Sequence, residues 1–208
     1  MRVGIGFQPS TWGGGRVLGL LGWLFIPLVV AAYHYGPGQE QLKYDDTGAA
    51  IAAARQAVAE RGFRDAIKGY DEALAKLPAT ELATARRLRL ERSKAMLEVS
   101  QLPKAQADLK ALMDELTADP GPDAALVRET RNALAGASYY MTWLMRLEGL
   151  PRTEWEPEIE QARQHYWMLA STATDTVEAT RAQEDLASAI KLARMDLSEL
   201  QGLPIPSQ

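Results

Sequence analysis

Residues 62–78 read GFRDAIKGYDEALAKLP. Phe63, Ile67, Tyr70, Leu74 and Leu77 recur at intervals of four, three, four and three. That spacing places five large apolar side chains on one face of an α-helix. Ala66 and Ala73 stand beside them, small where a second helix must come close. Pro78 ends the segment, because a residue before proline is driven out of the helical region. The pattern has the period of a helix and nothing of the two-residue alternation of a strand. Working outward from it, the same period with an alanine-rich background predicts helices over 47–60, 63–77, 80–99, 103–118, 123–148, 155–171 and 174–200. Gly62, Pro78, Pro103, Pro120-Gly121-Pro122 and Gly149-Leu150-Pro151 punctuate them. The fold class expected is all-α, with no sheet.

The order aromatic, small, aliphatic, aromatic, small, aliphatic, proline at Phe63, Ala66, Ile67, Tyr70, Ala73, Leu74 and Pro78 resembles the second helix of a tetratricopeptide repeat. The preceding helix departs from that family. It offers Ala50, Ala53, Ala54 and Ala57 where larger residues often stand, so close packing and a shallow groove are expected there. A second unit follows at an offset of 39, with Phe63, Ala66, Tyr70, Leu74 and Leu77 answered by Leu102, Ala105, Leu109, Met113 and Leu116. Gln106, Leu112 and Thr117 depart from it, and the offset exceeds the family period of about 34. Ile159, Ala162, Tyr166 and Leu169 fit a third unit more loosely. The resemblance implies a solenoid of about three helix pairs over residues 47–200, closed by a capping helix over 174–200. One pair cannot bury its apolar face alone; stacked pairs build a continuous core and leave a curved groove. By the same resemblance that groove would bind peptides or other proteins.

Upstream, Val17 to Tyr33 read VLGLLGWLFIPLVVAAY, without a charge. At about 1.5 Å per residue this run spans roughly 25 Å, the short end of a membrane-crossing helix. Arg2 and Arg16 precede it, whereas Glu40, Asp45 and Asp46 follow with only Lys43 among them. Positive residues remain cytoplasmic, so the expected topology is a cytoplasmic tail over 1–16, a membrane-spanning signal anchor over 17–35, a linker over 36–46 begun by Gly36-Pro37-Gly38, and an exported, periplasmic domain. Residues 17–33 would contact the bilayer. The alternative is a cleaved leader, since Val30-Ala31-Ala32 ends in small residues; the run is longer than a usual secretory core, which favours retention. Gly15, Gly19 and Gly22 share one helix face, a spacing that lets two membrane helices approach closely. The final segment, 201–208, contains Pro204 and Pro206 and reads as an extended tail.

The chain of 208 residues carries a net charge of −4, and the two arginines of the first 34 residues leave the remainder at −6. A domain of that sign has no general attraction for nucleic acid. It contains no cysteine, which excludes disulfides, thiolate chemistry and zinc–sulfur sites. The two histidines, His34 and His165, form no metal or catalytic spacing, and neither a phosphate loop nor a nucleophile elbow occurs. No enzyme activity, cofactor or metal is expected. Two groups of residues suit a protein partner. One is aromatic: Tyr139, Tyr140, Trp143, Trp155, Tyr166 and Trp167, of the types enriched at interface centres, with core packing as the alternative. The other is basic: Arg86 and Arg89 with Arg87, Arg92 and Lys94, which would grip a carboxylate, the alternative being a solvated face paired with Glu81, Glu91 and Glu98. The function expected is a membrane-anchored scaffold or adaptor that supports a bacterial envelope complex. The alternatives are a periplasmic chaperone-like module near the secretion machinery and an accessory subunit of a membrane enzyme or electron-transfer complex.

Overall fold

The computed structural model describes the backbone of residues 37–196 and 199–200, with side chains from Asp46 onward, and of the residues before 37 it describes Pro27 alone. The expected tail over 1–16, the expected anchor over 17–35 apart from Pro27, the glycines Gly15, Gly19 and Gly22, and the segment 201–208 lie outside the described residues. Among the described residues no helix is long and apolar enough to cross a membrane. By its contacts the chain divides into two units, 1–46 and 47–208. The packing described below belongs to the second.

The described residues are all helical, without a strand: α1 (Pro37–Ala59), α2 (Phe63–Lys76), α3 (Leu82–Leu97), α4 (Leu102–Ala118), α5 (Ala124–Leu147), α6 (Arg152–Thr172) and α7 (Thr176–Arg194). Two boundaries differ from expectation. The backbone over 37–46 is helical and continuous with the helix expected from 47. Proline is favourable at the first position of a helix, where its missing N–H has no partner to lose, and Gln39-Glu40-Gln41-Leu42-Lys43 behind it are helix formers. At the other end α7 stops at Arg194, with Met195 extended, and a short 3₁₀ turn occupies 199–200.

The remaining stops are local. Leu77 is extended because Pro78 follows it. Pro103 stands in the first turn of α4. Asp123 accepts the Ala125 N–H at 2.9 Å and starts α5. After α1, α3 and α5 the chain turns through a residue with positive φ: Arg61 at 59°, Ser100 at 61° and Gly149 at 76°. At each turn the next amide returns to a carbonyl five residues back: Gly62 to Ala57 at 2.7 Å, Gln101 to Met96 at 3.1 Å and Leu150 to Met145 at 3.0 Å.

From α2 onward each helix packs on the next in sequence, and α3 also touches α5. The core forms three consecutive clusters. In the first, Ala54 of α1 meets Ala66, Ile67, Tyr70 and Ala73 of α2 and Leu88, Ala95 and Met96 of α3. In the second, Leu90 of α3 meets Leu109, Leu112, Met113 and Leu116 of α4 and Leu126, Leu134 and Ala137 of α5. In the third, Tyr139 of α5, Ile159, Ala162 and Tyr166 of α6 and Ala189 and Leu192 of α7 close over Leu200. The α2 stripe is buried at Ala66, Ile67, Tyr70 and Ala73, with Phe63 and Leu74 partly covered. Thirty-nine residues on, Ala105, Leu109 and Leu112 are buried in the same register. Helix α3 has no single apolar face: Leu88, Leu90, Ala95 and Met96 point to different neighbours, as a helix contacted on several sides requires. Gly69 explains how α1 comes close, since a Cβ there would stand 2.9 Å from the Ala54 Cβ. The small residues of α1 and α2 therefore do let the two backbones approach.

Candidate functional site

The polar side of α3 builds a ladder of ion pairs to its neighbours. Arg86 Nε reaches Glu115 Oε1 of α4 at 2.7 Å and Arg86 Nη1 reaches Oδ2 of Asp119, the residue just after α4, at 2.5 Å. Arg89 shares Glu115 at 2.5 Å. Arg92 bridges Asp71 of α2 at 2.6 Å and Asp108 of α4 at 2.8 Å. Arg87 and Lys94 both hold Glu129 of α5, at 2.6 and 3.1 Å. Arg55 of α1 grips Glu91 of α3 with two hydrogen bonds of 2.9 and 3.0 Å. Arg86 and Arg89 are thus occupied within the fold, and their partners lie in and just after α4. Hydrogen bonds from Arg86 and Arg89 hold the Glu115 carboxyl below the usual range. Burial pushes Glu129 up, but Arg87 and Lys94 together outweigh it and leave it low.

The aromatic group divides. Tyr139 and Tyr166 are 2 % exposed and fill the third core cluster, so in this fold they offer no surface. Burial raises the pKa of both phenols. Trp143 and Trp155 are partly buried against the same cluster. Trp155 lies between two cations, the Arg146 guanidinium 4.8 Å and the Arg152 guanidinium 5.9 Å from its ring. Arg146 itself is buried and donates to the carbonyls of Leu192 and Met195 at the end of α7. Tyr140 is half-buried, edge-on to Tyr139 at 6.0 Å. Only Trp167 is broadly exposed, at 61 %. His165 is partly buried, and burial, with the charge of Arg131, pushes its imidazole pKa below the usual value.

Two cavities open beside Lys94. One, about 390 Å³, is lined by Arg55 and Val58 of α1, by Phe63 and Tyr70, and by Glu91, Lys94, Ala95 and Glu98 of α3. Burial, with the charge of Glu91, pushes the Tyr70 phenol up to about 12. The other, about 310 Å³, is lined by Lys94, by Ala125, Arg128, Glu129 and Asn132 of α5, by Leu169 and Ala173, and by Glu178, Arg181, Ala182 and Asp185 of α7. Lys94 belongs to both. The walls come mainly from α1, α3, α5 and α7, and they carry charges of both signs. Such a surface suits an extended or helical polypeptide with apolar and charged side chains, and both volumes fall in the range of ligand pockets, roughly 300–1,000 Å³.

Sequence reasoning singled out Lys94 but missed Arg128, Arg181 and Asp185, which come from helices distant in the chain. One signal was present. Ala182, Asp185, Ala189 and Leu192 are spaced by three, four and three and form the buried stripe of α7, so a carboxylate stands in a core register. Among the described residues no group of His, Cys, Asp and Glu is arranged to hold a metal ion. No protein-family model matches the chain, and no curated protein matches it.

Proposed function

We propose that this protein is a membrane-anchored adaptor, whose tetratricopeptide-like helical domain holds a protein partner in the groove on either side of Lys94 and so supports an envelope complex. The observation that carries this reading is the pair of cavities that adjoin at Lys94, with walls drawn from α1 to α7. Two further observations support it. The buried positions of α2 and α4 recur 39 residues apart, and both helices pack between their sequence neighbours, as stacked pairs do. The uncharged run over 17–33 supplies the length of an anchor. In this reading the N-terminus is cytoplasmic and the helical domain periplasmic.

Affinity purification of the full chain from solubilised membranes tests the proposal. A defined partner is expected with the native chain and reduced at least ten-fold with Lys94→Glu, while both chains remain in the membrane fraction. A solitary, monomeric protein, or a partner indifferent to the Lys94 change, overturns it. Recovery of many unfolded exported proteins in place of a defined partner would identify the chaperone-like alternative.

A further inference from the structure

Asp185 is only 6 % exposed, yet it lines the cavity between α5, α6 and α7. None of the ion pairs among the described residues involves it. Burial raises its pKa, Arg181 one turn earlier opposes that rise, and no hydrogen bond to the carboxylate contributes. A carboxylate largely removed from water, with no hydrogen-bonded counter-ion among the described residues, is costly, and natural folds retain few of them. This one is at the wall of an open cavity. The apolar lining, Ala125, Leu169, Ala173 and Ala182, suits the methylene stem of a long cationic side chain, whose charged head would then reach the carboxylate.

We propose that this cavity receives one basic side chain, a lysine or an arginine, carried by the protein partner, with Asp185 as its counter-ion. The inference rests on the groove reading above and specifies what the groove selects. Glu178 adds negative charge at the same cavity, and Glu129 is shared with Lys94. Lys94, Arg128 and Arg181 line the same cavity, and Arg181 already offsets part of the Asp185 charge. They disfavour a run of basic residues and favour a single basic residue flanked by acids. A buried charge that gains a hydrogen-bonded ion of opposite sign recovers part of its desolvation cost, so binding and the relief of Asp185 are coupled.

The test uses the full chain in detergent and three fluorescent peptides, Ser-Gly-Glu-X-Glu-Gly-Ser, with lysine, norleucine or glutamate at X. Fluorescence anisotropy should show the lysine peptide binding at least ten-fold more tightly than the norleucine peptide, and the glutamate peptide most weakly. Asp185→Asn should abolish the difference between lysine and norleucine, and Asp185→Glu should retain part of it; circular dichroism checks that both variants stay helical. Equal binding of the three peptides, or a lysine preference that survives Asp185→Asn, overturns the assignment and leaves the groove reading intact. No binding of the lysine peptide also overturns it, and the effect of Lys94→Glu on partner recovery then decides the groove reading by itself.

Discussion

Single residues set the tightest constraints. At Gly69 an added methyl would stand 2.9 Å from the Ala54 Cβ and 3.3 Å from its Cα, and backbone-borne atoms cannot swing away. Gly69→Ala gains roughly 1 kcal/mol of helix propensity. Overpacking costs about 1–3 kcal/mol, so the variant should be destabilised by up to about 2 kcal/mol in urea unfolding, and Ala54→Gly should restore much of the loss. Arg146→Met should cost about 3–6 kcal/mol, since its two hydrogen bonds from a charged donor, one to the buried Leu192 carbonyl and one to the part-buried Met195 carbonyl, are each worth about 1.5–3. Hydrogen exchange should locate that loss at the end of α7. Asp185 has the opposite sign. Its carboxyl titrates above its unfolded value, so its contribution favours the fold only below the unfolded pKa and is lost as pH rises through the folded one. Above the folded pKa the ionised group is a penalty, and Asp185→Asn should raise the melting temperature there. Below the unfolded pKa native and variant chains should melt alike.

At the scale of the helix, the ladder around α3 makes stability depend on acid. Glu115 and Asp119 titrate below their usual range, Glu115 through Arg86 and Arg89, Asp119 through the Gly121 N–H and then Arg86. Groups of this kind stabilise above their unfolded pKa, and the contribution disappears as pH falls through the folded pKa. Urea midpoints should therefore drop on acidification through the carboxylate range. Glu115→Gln should lower the midpoint at pH 7 and make the drop shallower. The apolar stripes made the helices readable from the chain itself: α2, α4 and α6 carry theirs openly. Most of the ladder was not readable, because its partners lie on other helices; of the acids near in sequence, Glu91 pairs with Arg87 at 4.0 Å, but Glu81 and Glu98 are not the ones that Arg86 and Arg89 use. Gln106 had looked like a flaw in the α4 stripe. It donates to Ser138 of α5 at 3.0 Å and to Glu158 of α6, tying three helices together. The start of α1 was misread because Gly36-Pro37-Gly38 signals a break as readily as a first turn.

For the whole helical array, three successive core clusters imply stability that is distributed rather than pooled. Gly69→Ala should reduce hydrogen-exchange protection most in α1–α3 and least in α5–α7; an equal loss throughout would show a single cooperative unit. The groove was the least legible part of the molecule, since Lys94 and Asp185 are brought to one cavity only when α3, α5 and α7 are in place. The turns that follow α1 and α3 carry a further consequence. Arg61 and Ser100 adopt the same backbone state, each is followed by the same return bond, and they lie 39 residues apart. A segment copied from Gly62 through Ser100 would thus begin and finish on matching joints. Spliced in tandem, it should lengthen the helical array by one helix pair with no new connector to invent, so the number of pairs is adjustable by gene duplication in a way that the chemistry is not.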